Sequence, residues 1–138
     1  MTASTAGYSG TPLAKKLGIK AGDRLALLGA PEGFDALLQP LPEGVTVRRQ
    51  ARGPVDVLIV FTTEATHLER RIERLAATIE VDGAIWVAWP KRASKVPTDM
   101  TEDVVREVAL PAGLVDNKVC AIDETWSGLR VVWRKELR

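Results

Sequence analysis

Residues 24–34, Arg-Leu-Ala-Leu-Leu-Gly-Ala-Pro-Glu-Gly-Phe, decide how the rest of the chain is read. Leu25, Ala26, Leu27 and Leu28 form an apolar run without alternation, the pattern of a strand covered on both faces. Gly29 ends it. Pro31 suits the first position of a following helix, where its missing N–H costs nothing, and Phe34, Leu37 and Leu38 fall at helical spacing and are expected to face a sheet. A strand, a tight turn and a helix N-terminus open a nucleotide-type α/β domain, and unpaired N–H groups at such a turn attract anions. The turn here reads Gly-x-x-x-Gly rather than Gly-x-Gly-x-x-Gly, and Glu32 competes for the same positive end of the helix. Gly29, Glu32 and Gly33 are therefore candidate ligand-binding residues on a turn that lacks the full dinucleotide fingerprint.

Working outward, Thr11-Pro12 predicts a short helix capped by Thr11, with Leu13, Ala14 and Leu17 on its apolar face and Gly18 at its end. Residues 1–10 are small and polar, read as a mobile tail with Tyr8 as its one anchor. Residues 45–50 alternate like a half-exposed edge strand, and residues 55–61 and 84–89 are further buried strands. Four residues, 51–54, join the first two of these and reach about 14 Å, whereas a return along a parallel strand of five or six residues needs about 17–20 Å. The edge strand is thus either antiparallel, or short with its last residues part of the return. Residues 64–80 predict the clearest helix, with Leu68, Ile72, Leu75, Ala76 and Ile79 along one face. Thr98-Asp99 are expected to cap a helix that turns Val104, Val105 and Val108 to the sheet, and residues 118–134 close the chain as a hairpin around Trp126. The sum is a three-layer, Rossmann-like α/β fold with a mostly parallel sheet of about six strands, in one domain over residues 11–138.

Composition narrows the function classes. With 138 residues the chain has enough material for a core without disulfide or metal staples. Lys plus Arg number 19 against 18 Asp plus Glu, so global charge argues against nucleic acid or an anionic membrane as partner. One Cys and one His do not make a tetrahedral zinc site, and no serine or cysteine has a recognisable base beside it, so no catalytic or metal residue is assigned. No run approaches the roughly 18 apolar residues of a membrane helix and the first residues do not resemble a signal peptide, which predicts a cytoplasmic protein.

The element order, with Leu17-Gly18-Ile19-Lys20-Ala21-Gly22-Asp23-Arg24 before the first strand and a hairpin at the end, resembles a shortened class I methyltransferase domain. More closely, Tyr8-Ser9-Gly10-Thr11-Pro12-Leu13, Trp89-Pro90-Lys91, Val96-Pro97-Thr98-Asp99, Asp116-Asn117-Lys118-Val119-Cys120-Ala121 and Trp126-Ser127-Gly128-Leu129-Arg130 resemble a bacterial family known only as a domain of unknown function. That second resemblance spans nearly the whole chain and implies no activity. The methyltransferase resemblance implies an S-adenosylmethionine site, but the acidic residue that holds the ribose hydroxyls is replaced by Arg48-Arg49-Gln50, and one strand–helix unit is missing. Basic residues there would suit a 2′-phosphate of NADP, without the glycine fingerprint to accompany them.

Local charge is more informative. Open α/β sheets take ligands at the carboxyl ends of their strands, and the loop that starts at Trp89 offers Lys91, Arg92 and Lys95. With a parallel edge strand, Arg48, Arg49 and Arg52 would join them, facing Glu32 and Glu64. Trp89 and Lys91 complete the candidate set, for a small anionic molecule. His67 is expected at the surface, Cys120 in the core, and Asp123 and Glu124 in a turn. Trp86 and Trp133 are expected in the core, whereas Trp126 at a hairpin tip could anchor a protein partner or a second copy of the chain. The reading is a non-catalytic binding or interaction module, with a small S-adenosylmethionine- or nucleotide-dependent enzyme as alternative. A crevice filled by Phe34, Trp89 or the tail distinguishes the first; an open one lined by a titratable group, the second.

Overall fold

A computed structural model describes residues 11–138; Tyr8 and the predicted tail lie outside them. After a one-turn helix α1 (Leu13–Lys16) come strand β1 (Arg24–Leu28), helix α2 (Phe34–Leu38), strands β2 (Thr46–Arg48) and β3 (Val55–Phe61), and helix α3 (Ala65–Thr78). Strand β4 (Ile79–Pro90), helix α4 (Glu102–Ala109) and strands β5 (Leu114–Ala121) and β6 (Trp126–Trp133) complete the fold. The six strands form one sheet in the order β2-β1-β3-β4-β6-β5. β1 to β4 are mutually parallel, and the closing hairpin is antiparallel to them. From β1 the chain goes outward to β2 and then back across to β3, so the topological switch lies between β1 and β3. Doubly wound sheets of order 3-2-1-4-5-6 carry one more strand outside β2; here β2 is the edge.

The question of the edge strand is resolved by its length. β2 runs parallel to β1 but has three residues, and Arg48 lies level with Ala26, in the middle of β1. The return through residues 49–54 therefore climbs down only part of a strand, which six residues span. Gly53 lets this return lie against the end of α3, where a Cβ would sit 2.3 Å from the Thr78 carbonyl oxygen.

Both faces are covered. Leu68, Ile72 and Leu75 of α3 and Val105 and Val108 of α4 pack with Leu58, Ile85, Trp89 and Leu129 on one face. On the other, Leu17, Phe34 and Leu38 pack with Leu25, Ile59, Phe61 and Trp86. This two-sided burial explains why β1, β3 and β4 read as continuous apolar runs. Trp86 is fully buried and its indole N–H donates to the Leu17 carbonyl at 2.8 Å, tying the α1 segment to the sheet. Among the described residues no helix is long and apolar enough to cross a membrane.

Four local expectations are corrected. Thr11 does not cap α1: Pro12 occupies that position and no side chain caps it. Leu37 is 44% exposed, because α2 is barely more than one turn and buries only Phe34 and Leu38. α3 stops at Thr78, and Ile79 and Glu80 already belong to β4, so helix passes directly into strand. Thr98 and Asp99 do not cap α4. Thr101 does, accepting from the Val104 N–H at 3.1 Å, while the Asp99 carboxylate accepts from Ala65 N–H at the start of α3, at 2.8 Å.

Candidate functional site

The carboxyl ends of β1 and β3 flank the switch point, where open α/β sheets hold their ligands. Gly29 turns the chain there with φ +69°, and a Cβ at that position would meet the Phe61 carbonyl oxygen at 3.2 Å. Gly33, at φ +88°, starts α2 and has nothing within 4 Å of where a Cβ would be, and Glu32 beside it is exposed. Between these glycines and the sheet the space is occupied by the chain itself. Phe34 and Phe61, both buried, meet edge to face with ring centroids 4.9 Å apart, and Trp126 meets Phe61 edge to face at 5.1 Å. Trp126 reaches Phe61 from two strands away because the residues in register between them are small. Phe61 pairs with Ala88, and Ala88 with Gly128. A Cβ on Gly128 would press on Ile122 and on Trp86, at 3.1 and 3.2 Å. Trp126 is thus half-buried on its own sheet rather than presented at a loop tip.

Trp89 and Lys91 stand apart from Gly29, Glu32 and Gly33. Trp89 points to the opposite face and is buried with the α3 and α4 core, so it is no lip residue. It forms the floor of a cleft of about 430 Å³ whose walls include Arg92, Lys95, Thr98, Thr101 and Glu102. The Lys91 N–H is fixed to the Thr125 carbonyl at 2.7 Å where the loop departs. The loop is then held at several points. Ser94 Oγ donates to the Lys91 carbonyl at 2.6 Å, and Thr98 Oγ1 donates to the Thr63 carbonyl at 2.7 Å. Lys95, at φ 63°, is the one described residue other than glycine in the left-handed region, a conformation that costs on the order of 1 kcal/mol or more and persists where the surroundings impose it. Lys91, Arg92 and Lys95 have no carboxylate within 4.0 Å among the described residues.

The arginines of the edge strand do not join this group although β2 is parallel. β1 and β3 lie between β2 and β4, a separation of roughly 14 Å at the usual strand spacing. Arg48 donates to the Arg52 carbonyl at 2.8 Å, and Arg49 is paired with Asp35 on α2, which holds the Asp35 carboxyl below the usual carboxylate range. Other residues lie where expected. His67 is exposed and Cys120 is buried. Asp123 Oδ1 accepts from the N–H groups of Thr125 and Trp126 at 2.8 and 2.7 Å, which makes it the organiser of the hairpin turn.

At the amino ends of the strands the charges are mostly spent within the fold. Arg24 Nε lies 3.1 Å from Asp56 and its Nη2 2.7 Å from Glu80, so one guanidinium joins β1, β3 and β4. The hydrogen bond from Arg24 pulls the Asp56 carboxyl below its usual range against partial burial. Sequence periodicity carries no sign of this triad, since its members are 32 and 56 residues apart.

Comparison with known proteins agrees with this architecture. The Methanococcus jannaschii fibrillarin pre-rRNA processing protein has a TM-score of 0.61 at 14% identity, over 83% of this chain and 68% of that one. The pyocyanin biosynthetic protein PhzM has a TM-score of 0.65 at 11% identity, over 92% of this chain and 56% of that one, so the chain spans little more than half of it. Magnesium protoporphyrin IX methyltransferase (ChlM) from Synechocystis PCC 6803, with bound SAM, has a TM-score of 0.57 at 11% identity, over 88% and 74%. At these identities the likeness is one of fold. No curated protein matches the chain. The family model described as "Protein of unknown function (DUF3052)" matches residues 14–135, and the chain belongs to that family.

Proposed function

We propose that this member of the DUF3052 family is a non-catalytic binding module on a methyltransferase-like sheet, taking a small anionic molecule at the cleft floored by Trp89. The observation that carries the reading is the aromatic row Phe34–Phe61–Trp126. It fills the switch-point crevice with side chains, whereas a cofactor enzyme of this architecture needs that space open beside Gly29 and Gly33. The residues there do not fit S-adenosylmethionine. The strand that would supply a ribose-binding carboxylate stops at Arg48, and the following Arg49 is engaged with Asp35. Nor does the turn supply phosphate ligands for NADP, since Glu32 stands at its mouth.

On the other face, Arg92 and Lys95 line the cleft with Glu102, Lys91 begins the same loop, and among the described residues none of the three cations has a carboxylate within 4.0 Å, while Trp89 gives the cleft an apolar floor. Cations carried on a backbone held this way bind a carboxylate or phosphate group by charge-assisted hydrogen bonds, the ordering cost falling on the side chains rather than on the loop.

A thermal-shift titration tests the reading, with S-adenosylmethionine, NADPH, and a set of nucleotides and dicarboxylates near millimolar concentration. A ligand at about a hundred times its dissociation constant adds roughly 2.7 kcal/mol, several degrees for a domain of this size. The expected result is no shift with S-adenosylmethionine or NADPH, and a shift with an anionic member of the set that Lys91→Ala and Lys95→Gln each reduce. A shift with S-adenosylmethionine, or an anion response untouched by both variants, overturns the proposal.

A further inference from the structure

A second cleft, of about 320 Å³, opens at the other end of the sheet, between the α1 segment and the amino ends of the strands. Its lining carries charges of both signs, with Lys16 and Lys20 contributed by the α1 segment. Asp23 precedes β1, Asp56 is on β3 and Asp82 on β4, while Arg130 is on β6 and Lys118 on β5. The side toward β5 and β6 is basic, whereas the carboxylates share the other side with Lys20. The carboxylates are largely satisfied within the chain: Asp56 binds Arg24, and Asp23 accepts from the Lys20 N–H at 2.9 Å.

The basic side is not. Arg130 is partly buried, yet among the described residues it has no carboxylate within 4.0 Å and no hydrogen bond. Burial and the charge of Arg138 both disfavour its charged form. Its guanidinium nitrogens keep contact with solvent and are available to donate into the cleft. Lys118, whose Nζ donates to the Lys16 carbonyl at 3.1 Å, stands opposite Arg130 in the β5–β6 register. It does so because the register slips between Asp116 and Lys118, one extra residue that re-aims the side chain toward the α1 face.

From this geometry we infer that the α1 cleft is a separate oxyanion site, with Arg130 as the forked donor to a carboxylate or phosphate group and Lys118 beside it. The guanidinium supplies two parallel N–H donors to such a group.

The test is a titration of the ¹⁵N-labelled chain with sodium phosphate and, separately, sodium succinate, at ionic strength held constant with sodium chloride. Saturable shifts are expected at the amides of Leu17, Gly18, Asn117 and Lys118 and at the Arg130 Nε–H. Arg130→Gln should weaken the response about tenfold, as the loss of a charge-assisted fork implies, and Lys118→Gln by less. Arg70→Gln, exposed on α3 and lining neither cleft, should leave it unchanged. If Arg130→Gln disturbs folding, Arg130→Lys keeps the charge without the fork and should still weaken binding. Phosphate or succinate saturating alone identifies the group that binds. Shifts at Leu17, Gly18, Asn117 and Lys118 that are absent, that grow linearly with both anions, or that persist in the Arg130 variants overturn the inference.

Discussion

The aromatic row is the feature on which the functional reading turns, and a double-mutant cycle on Phe34 and Phe61 tests whether it is a packed plug. The two rings lie 4.9 Å apart with planes at 73°, and the side chains are 2% and 5% exposed. Truncation of a buried Phe to Ala costs about 3–5 kcal/mol from lost transfer and the cavity left behind. With an unfolding entropy of about 2.1 cal/mol/K per residue, a chain of this length loses roughly 3–4 °C per kcal/mol. Phe34→Ala should therefore lower the melting temperature by roughly 10–18 °C. Because Ala variants can fail to fold, the cycle is better built from Phe34→Leu and Phe61→Leu, which keep most of the apolar bulk. The edge-to-face contact should appear as a coupling of about 0.5–1.5 kcal/mol between the two substitutions. Urea unfolding followed by far-UV circular dichroism measures all four corners. A Phe34→Ala variant that loses less than about 1 kcal/mol, or a cycle whose coupling is nil, would show that the crevice is not closed by these rings.

Three further substitutions report on other supports of the fold. Gly53→Ala should destabilise by about 2 kcal/mol or more in urea unfolding, because the added methyl meets the Thr78 carbonyl at 2.3 Å and the backbone must give way. Trp86→Phe removes the donor to the Leu17 carbonyl together with part of the buried indole, for a loss of about 2 kcal/mol or more; an unchanged denaturation midpoint would refute that role for the bond. The Asp56 carboxyl ionises below its usual range in the folded chain, so its contribution is present above about pH 4, the unfolded value, and fades as pH falls through the lower folded value. Asp56→Asn should lower stability at pH 7 by about 1 kcal/mol and flatten the acid limb below about pH 4, as read from urea midpoints across that limb. An acid limb as steep as in the parent chain would assign the acid sensitivity to other groups.

Residue order alone carried the architecture because the signals for it are local. The apolar runs of β1, β3 and β4 declare strands buried on both sides, the 3.6-residue period of α3 declares its face, and the alternation around Trp126 declares a hairpin. Asp123 as turn former and Cys120 as core residue were legible for the same reason. Where neighbours in sequence gave no constraint, the tertiary structure decided. Ile79 reads equally well as the last apolar position of a helix or the first of a strand, and only its pairing with Val55 makes it strand. Leu37 fits a helical face that α2 is too short to bury. Trp126 lies across the sheet on Phe61, 65 positions earlier in the sequence, because Ala88 and Gly128 leave room between them. Lys91, Arg92 and Lys95 were visible as a cluster since they share a loop. Arg130 was not, because its isolation depends on which strands stand next to β6 and on a register slip in β5. Periodicity fixes which face a residue takes within its own element; which residues then meet across elements follows from strand order, register and side-chain size, and only the folded sheet sets those together.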